Sequence, residues 1–167
     1  TPPRTPLPPG APPRVVIAGG KDPALAEGVA TALAARGGSA HVLPAGLPRA
    51  DFLAALARAD IAVLLPHERE GFYLPGLEAM ALGCAVVLPD AQGNREYLQP
   101  DQNAKVPARE PAAIAEAVLG LQDAEARAAL VDAGRRTVAA HSLARERQAF
   151  HAVLDRLDQE WAACRHA

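Results

Sequence analysis

Several features that would place this chain in a special class are missing from its sequence. Two cysteines among 167 residues are too few for a disulfide scaffold or a four-cysteine zinc site. No apolar run approaches the roughly 20 residues that a membrane-spanning helix needs. A net charge of −2 and a pI near 6.2 argue against a dedicated binder of nucleic acid or anionic membrane. What is left is an ordinary globular chain, which we expect to be cytoplasmic.

Aromatic residues are also scarce, at 4%, although half of the residues are apolar. The chain can therefore bury a core, but that core must rely on close approach of backbones rather than on large rings. The length suits one domain. The sequence begins at Thr1, with no initiator methionine and no signal-peptide pattern. We expect a piece of a longer polypeptide.

The first 13 residues read TPPRTPLPPGAPP, with proline at more than half of the positions. Proline fixes φ and lacks an N–H donor, so this run cannot nucleate a helix or join the centre of a sheet. We interpret residues 1–13 as a semi-rigid linker, with a proline-rich recognition ligand as the alternative. The domain itself would span residues 14–167.

After this linker, short apolar runs alternate with segments of helical periodicity. The predicted strands are 15–18, 40–43, 61–65 and 84–88, with a short fifth at 104–106. The predicted helices are 24–36, 48–59, 75–83, 112–121, 124–140 and 142–164. This order indicates an α/β, Rossmann-like, doubly wound parallel sheet with C-terminal helices. Ligands of such sheets bind beyond the carboxyl ends of the strands, so we expect the functional residues in the loops that follow the strands.

The loop after the third predicted strand carries two glutamates. Glu70 lies in the loop, and Glu78 lies in the first turn of the next predicted helix. The helix opening at Pro75 should add free N–H groups and a positive dipole end, which suit a phosphate. A carboxylate accepts well from two neighbouring hydroxyls of a ribose or hexose. Together these features describe a nucleotide-sugar site, although the spacing alone also fits a solvated loop charge and a glutamate that favours a helix N-terminus.

The residues around these glutamates resemble the signature of the retaining family 4 glycosyltransferases, E-G-F-G-L-P-x-x-E-A-M-A-x-G. Residues 70–83 read EGFYLPGLEAMALG. Residues 93–96 are similar to the family's G-G-x-x-E loop, and Asn103 to its D-G-x-N-G region. The resemblance covers about residues 14–157 and implies one half of a GT-B fold. In that architecture, two facing Rossmann-like domains hold a sugar donor in the cleft between them.

The same resemblance implies roles for individual residues. Glu70 matches the glutamate that contacts the donor sugar near the reacting carbon, and it is the candidate catalytic residue. Glu78 matches the glutamate that binds the ribose hydroxyls, and Lys21 is a candidate diphosphate ligand. The stretch that faces the sugar and diphosphate is matched by Gly71, Phe72, Tyr73 and Leu74. Neither a metal nor a cofactor is implied, because the nucleotide-diphosphate sugar is a substrate.

Two departures from the family pattern concern this site. Tyr73 replaces the usual glycine, which narrows the space beside the sugar or adds a hydroxyl contact. The loop after the first strand supplies Lys21 without a neighbouring arginine. Gly19-Gly20 could instead form a plain tight turn with a solvated lysine. Arg69 or Arg95 are candidates for the missing positive charge.

Other side chains have simpler interpretations. His67 is an acid/base candidate, with a solvated loop histidine as the preferred interpretation. Cys84 and Cys164 are expected to be inert. An apolar stripe on the last helix is expected to pack against the domain, although in the family this helix often crosses to the partner domain: Phe150, Val153, Leu154, Leu157, Trp161 and Cys164.

We therefore expect a C-terminal, donor-binding glycosyltransferase domain that serves retaining transfer. Its partners would be a nucleotide sugar and an acceptor-binding N-terminal domain of the same parent chain, without nucleic acid. The isolated domain should turn over little, and the parent is a candidate for peripheral membrane association. A sugar-nucleotide epimerase and a non-catalytic GT-B-like interaction module remain as alternatives.

Overall fold

Ten helices and strands and one short 3₁₀ turn make up the part of the chain that the computed structural model describes, residues 7, 8 and 10–164. The strands are β1 (Val15–Ala18), β2 (His41–Val42), β3 (Ile61–Leu64) and β4 (Ala85–Val87). The helices are α1 (Pro23–Ala34), α2 (Arg49–Arg58), α3 (Leu74–Ala81), α4 (Pro111–Gly120), α5 (Ala124–Ala140) and α6 (Leu143–Cys164). The 3₁₀ turn covers Gln92–Asn94. Residues 1–6 and 9 of the expected linker lie outside the described residues, so that interpretation stays a prediction.

The four strands form one parallel sheet in the order β2-β1-β3-β4. Runs of β-branched residues suit this sheet because both of its faces are buried. The expected fifth strand is reduced to two isolated bridges, in which Lys105 pairs with Val87 beside β4 and Ala104 pairs with Pro100. The predicted fold class, a Rossmann-like parallel α/β sheet, is confirmed.

Each face of the sheet has its own apolar core. Side chains that alternate along β1 show the division, since Ile17 packs with residues of α1 and α4 while Val16 packs with residues of α2 and α3. Backbones approach closely where the helices cross. A Cβ on Gly28 of α1 would lie 2.8 Å from Pro111 Cγ of α4, so small residues do replace bulky rings here.

The strand order places a topological switch point between β1 and β3. The chain leaves β1 for β2 on one side and later adds β3 on the other, so the two following loops diverge at the carboxyl edge. A crevice forms where such connections separate, and ligands of doubly wound folds bind there. The loops after β1 and β3 are the ones that carry Lys21 and Glu70.

Helix α6 contradicts the expected packing of its apolar stripe. Every α6 side chain that the structure describes is exposed, including Phe150 at 62% and Trp161 at 68%. The sheet faces are already covered by α1 and α4 and by α2 and α3, so no sheet surface is left for this helix. The stripe therefore lies open along α6, and Cys164 at its end is also exposed.

Candidate functional site

A cleft of about 410 Å³ opens at the carboxyl edge, between the loops that follow β1, β2 and β3. The sequence-predicted residues that line it are Lys21, Glu70, Phe72, Tyr73, Leu74 and Glu78. Gly71 lies between two lining residues, although it is not itself in the wall. The two glutamates thus share one hollow beside Pro75, as their interpretation as a pair requires.

Lys21 and Glu70 join across the switch point. The Lys21 Nζ atom lies 2.5 Å from Glu70 Oε1, and it stands over the Tyr73 ring, 5.5 Å from the centroid. The Lys21 ammonium, through this hydrogen bond, holds the pKa of the Glu70 carboxyl below its usual range. Glu70 is therefore ionised at neutral pH, and Lys21 is paired across the cleft rather than freely solvated.

An arginine distant in sequence, Arg109, connects the loops that carry Lys21 and Glu70. Arg109 donates to the Asp22 carboxylate at 3.2 Å and to the carbonyl oxygen of Pro66. Asp22 also caps α1, accepting from the Leu25 N–H at 3.1 Å. Sequence reasoning missed Arg109, because it is 87 residues from Asp22 and carries no local motif.

Glu78 has a cation of its own on the opposite side of the cleft. Arg49 Nη2 lies 2.5 Å from Glu78 Oε1, and both residues line the hollow. The Glu78 side chain is only 15% exposed, while the Arg49 side chain is 70% exposed. Arg49 is the first residue of α2. Sequence reasoning missed it, although its place just after the β2 loop was a usable signal.

The two arginines named as substitutes for the missing charge do not line the cleft. Arg95 instead forms an ion pair with Asp90, with Nη2 and Oδ2 2.6 Å apart, and this pair lowers the pKa of Asp90. Arg69 and His67 lie on the exposed part of the loop after β3 and are absent from the wall. The arginine that does line the cleft is Arg49, and it is paired with Glu78.

The loop that carries Glu70 is fastened from behind by the turn after β4. The N–H groups of Gln92 and Gly93 donate to the carbonyl oxygens of Glu68 and Glu70, at 3.0 and 2.9 Å. Gly93 is packed so tightly that a Cβ there would lie 1.6 Å from the Gly71 carbonyl oxygen. A side chain cannot be accommodated at this position without moving backbone, so glycine is required.

Two tyrosines fix the end of the same loop. Tyr97 is buried, and its hydroxyl donates to the Tyr73 carbonyl oxygen at 2.8 Å. The Tyr73 side chain is also buried, at 6% exposure, but it reaches the cleft wall. Burial, together with the charges of Glu70 and Glu78, raises the pKa of the Tyr73 hydroxyl. That hydroxyl therefore stays protonated at neutral pH.

The N-terminus of α3 differs from expectation. The helix begins at Leu74, one residue before Pro75, and its early N–H groups are already used. The Leu74 N–H donates to Phe72 O and the Gly76 N–H to Tyr73 O, both at 3.2 Å, while Pro75 has none. The expectation of free N–H groups at this helix end is therefore wrong. In the part of the described loop that borders the cleft, the N–H groups of Gly71, Phe72 and Tyr73 donate to no protein acceptor.

An apolar rim borders the cleft on the side of α5. Phe72 is 46% exposed and Leu74 is 54% exposed. The Phe72 ring leans against Tyr97 and His141, with centroid separations of 5.5 and 6.4 Å. The Phe72 ring is therefore held in place by contacts with Tyr97 and His141, while the rest of it is exposed to solvent.

Residues 7, 8 and 10–164 contain neither a metal-ligand cluster nor a helix that could span a membrane. No three His, Cys, Asp or Glu side chains in that part of the chain converge as metal ligands. Across the same residues, every helix is too short or too polar to cross a bilayer. Cys84 is buried, and its thiol donates to the Leu56 carbonyl oxygen at 3.2 Å.

Comparison with protein families identifies this arrangement. The family model described as glycosyl transferases group 1 matches residues 9–124, which is well over half of the chain. The chain belongs to this glycosyltransferase family. No curated protein sequence gives a significant match.

Solved structures show the same fold. The C-terminal domain of a glycosyl transferase group 1 family protein (LpcC) from Francisella tularensis is 27% identical, with a TM-score of 0.51 over 60% of this chain and 52% of that one. Sucrose-phosphate synthase from Thermosynechococcus elongatus is 22% identical, with a TM-score of 0.67 over 93% and 47%. HepE from Anabaena, solved with UDP and glucose, is 19% identical, with a TM-score of 0.60 over 84% and 40%. The chain spans about half the length of these structures or less.

Proposed function

We propose that this chain is the donor-binding domain of a cytoplasmic, retaining GT-B glycosyltransferase of family 4. Its parent would transfer a sugar from a nucleotide diphosphate to an acceptor held by an N-terminal domain. The observation that carries this proposal is the single cleft that holds both Glu70 and Glu78 at the switch point of the sheet. The structure of HepE with UDP and glucose supports a nucleotide-sugar ligand for this fold.

The cleft offers a separate place for each part of a nucleotide sugar. Glu78 has a second carboxylate oxygen, beyond the one paired with Arg49, to accept from ribose hydroxyls. Lys21 and the unpaired N–H groups of loop 71–73 suit the diphosphate. The sugar would then lie beside Glu70. The order along the cleft is thus nucleoside, diphosphate and sugar, from Glu78 to Glu70.

The charges of the cleft fit the chemistry of glycosyl transfer. Departure of the diphosphate leaves positive charge on the sugar, as an oxocarbenium-like transition state, and negative charge on the leaving group. Ionised Glu70 would stabilise the first charge and Lys21 the second, because both are fixed before reaction. Retention would follow from attack on the face that the diphosphate leaves.

Nucleotide titration tests the binding half of this proposal. We expect UDP, GDP or ADP to shift backbone NMR signals of residues 19–21, 43–49 and 70–78. Glu78→Gln should weaken that binding about tenfold or more, because a charged acceptor of ribose hydroxyls is lost. The control is Glu116→Gln, an exposed glutamate of α4 outside this cleft. Shifts scattered over the surface, or equal effects of both variants, would contradict the proposal.

Turnover by the parent protein tests the catalytic half. With a donor and acceptor supplied, the product should keep the anomeric configuration of the donor, as read by NMR. Glu70→Gln should lower kcat while nucleotide affinity changes little, because the charge acts on the transition state. Inverted product, or full activity of Glu70→Gln, would refute the assigned mechanism.

A further inference from the structure

We propose that Arg49 selects the base of the donor nucleotide, favouring a base with an oxo group, such as uracil or guanine, over one with an amino group. This inference rests on the proposed function, since it takes Glu78 as the ribose ligand. The inference is based on the position of Arg49, which is paired with Glu78 and exposed in the cleft wall.

The geometry first limits where the base lies. Lys21 and Glu70 mark the diphosphate–sugar end, and the ribose lies at Glu78. The base must therefore extend to the remaining wall, formed by the loop after β2 and the start of α2. That wall is apolar, as suits the faces of a flat ring: Leu43, Pro44, Gly46, Leu47 and Phe52.

Arg49 is the charged side chain on this wall. The other charged residues that line the described cleft are Lys21, Glu70 and Glu78, and all three are assigned to the ribose, diphosphate or sugar. Base edges must find hydrogen-bond partners to be discriminated, and the aliphatic and phenyl side chains of this wall provide none. Arg49 is thus the side chain on this wall able to read the edge.

The ion pair with Glu78 holds Arg49 ready for this role. One nitrogen, Nη2, is engaged with Glu78 Oε1, while a guanidinium carries five N–H donors in a planar fork. The side chain is 70% exposed, so its other donors remain accessible from the cleft. Because the Arg49 side chain is largely exposed, this ion pair adds little to the free energy of unfolding. Its effect is to orient the guanidinium, which remains able to contact a base.

Chemistry then fixes the preference. A guanidinium only donates, so it complements the carbonyl oxygen at position 4 of uracil or position 6 of guanine. Cytosine and adenine present an amino group at the same positions, and two donors facing each other leave both unpaired. Such a mismatch penalises the wrong base strongly.

Calorimetric titration of the full chain with UDP, CDP, GDP and ADP tests this proposal, because UDP and CDP differ only in the groups at positions 3 and 4 of the ring. We expect UDP to bind roughly tenfold tighter than CDP, and GDP roughly tenfold tighter than ADP. Arg49→Ala should bring both ratios close to one, whereas Arg49→Gln should recover binding of CDP and ADP, because an amide also accepts. Arg58→Ala, at the far end of the same helix, should keep the wild-type ratios.

The outcomes separate this inference from the function on which it rests. Wild-type ratios near one, or ratios that survive Arg49→Ala while Glu78→Gln still weakens every nucleotide, would overturn the role of Arg49 alone. Absence of binding by all four nucleotides would overturn the proposed function and this inference together. Loss of selectivity in Arg49→Ala, with Arg58→Ala unchanged, supports both.

Discussion

The loop that forms the cleft and the C-terminal helix α6 are held in opposite ways. Loop 70–73 has no regular structure, yet Gly93 packs against its backbone and Tyr97 hydrogen-bonds its end. Helix α6 is 22 residues of regular structure with every described side chain exposed. Regular hydrogen bonding therefore says little about how firmly a segment is placed, because position depends on tertiary contacts.

The largest expected effect comes from Gly93→Ala in the turn behind the loop. Its Cβ would lie 1.6 Å from the Gly71 carbonyl oxygen, so the backbone must move. We expect the free energy of unfolding to fall by about 3 kcal/mol or more, measured by urea denaturation. The control is Gly120→Ala, where nothing lies within 4 Å of the added carbon. Equal urea midpoints for the two variants would show that the close packing of Gly93 does not hold the loop, contrary to the contrast drawn with α6.

Tyr97→Phe should have the next largest effect. It deletes the hydroxyl that donates to Tyr73 O at 2.8 Å, so that this carbonyl keeps only the longer bond from the Gly76 N–H at 3.2 Å. We expect a loss of about 1–2 kcal/mol in thermal or urea unfolding. Tyr73→Phe is the matched control, because the Tyr73 hydroxyl makes no hydrogen bond within the described residues; this substitution should cost under about 0.5 kcal/mol. A larger loss of unfolding free energy in Tyr73→Phe than in Tyr97→Phe would mean that the Tyr73 hydroxyl, and not the Tyr97 hydroxyl, holds the loop in place.

Lys21→Met removes the ion pair between Lys21 and Glu70, and it should change the free energy of unfolding less than the two variants above. Since Lys21 lowers the pKa of Glu70, its removal should raise that pKa toward the ordinary glutamate value, as followed by NMR titration. Ionised Glu70 adds stability above its unfolded pKa and loses it as pH falls through its lower folded pKa. The variant should therefore lose about 0.2–1 kcal/mol at neutral pH and nothing in strong acid. Lys105→Met, from the separate Asp101 pair, should leave the Glu70 pKa unmoved.

The smallest effect is expected on α6. Leu157→Ala should change the free energy of unfolding by less than about 0.5 kcal/mol, because the side chain is 53% exposed. Leu56→Ala, at a fully buried leucine of α2, should cost about 2–5 kcal/mol by comparison. Similar losses in both variants would show that α6 packs against the domain after all.

The bounds of a helix or strand were predicted correctly where the local residue pattern alone determines them. The β-branched run of β1 and the uninterrupted periodicity of α5 have the predicted bounds. Other ends moved by a few residues because caps and pairing decide them. Helix α1 begins at Pro23 because Asp22 caps it, and β2 keeps two residues because it pairs with β1 on one side only.

The site was predictable to the extent that its residues are neighbours in sequence. The signature around Glu70 and Glu78 located the cleft and the part of its wall between these two residues. Arg49 and Arg109 were missed because their partners lie in other loops, which the fold brings together. The same limit explains α6, because periodicity indicates an apolar face and cannot indicate what covers it.

The pairing of charges in the cleft has a consequence for how a ligand arrives. Two cations, Lys21 and Arg49, are balanced by two carboxylates within the same walls, so the empty hollow is close to electroneutral. An approaching anion would then meet little long-range attraction, and its association rate would depend only weakly on ionic strength. Capture would be governed by short-range contacts, in which Lys21 meets the diphosphate and the second oxygen of Glu78 accepts hydroxyls while its first oxygen stays paired with Arg49.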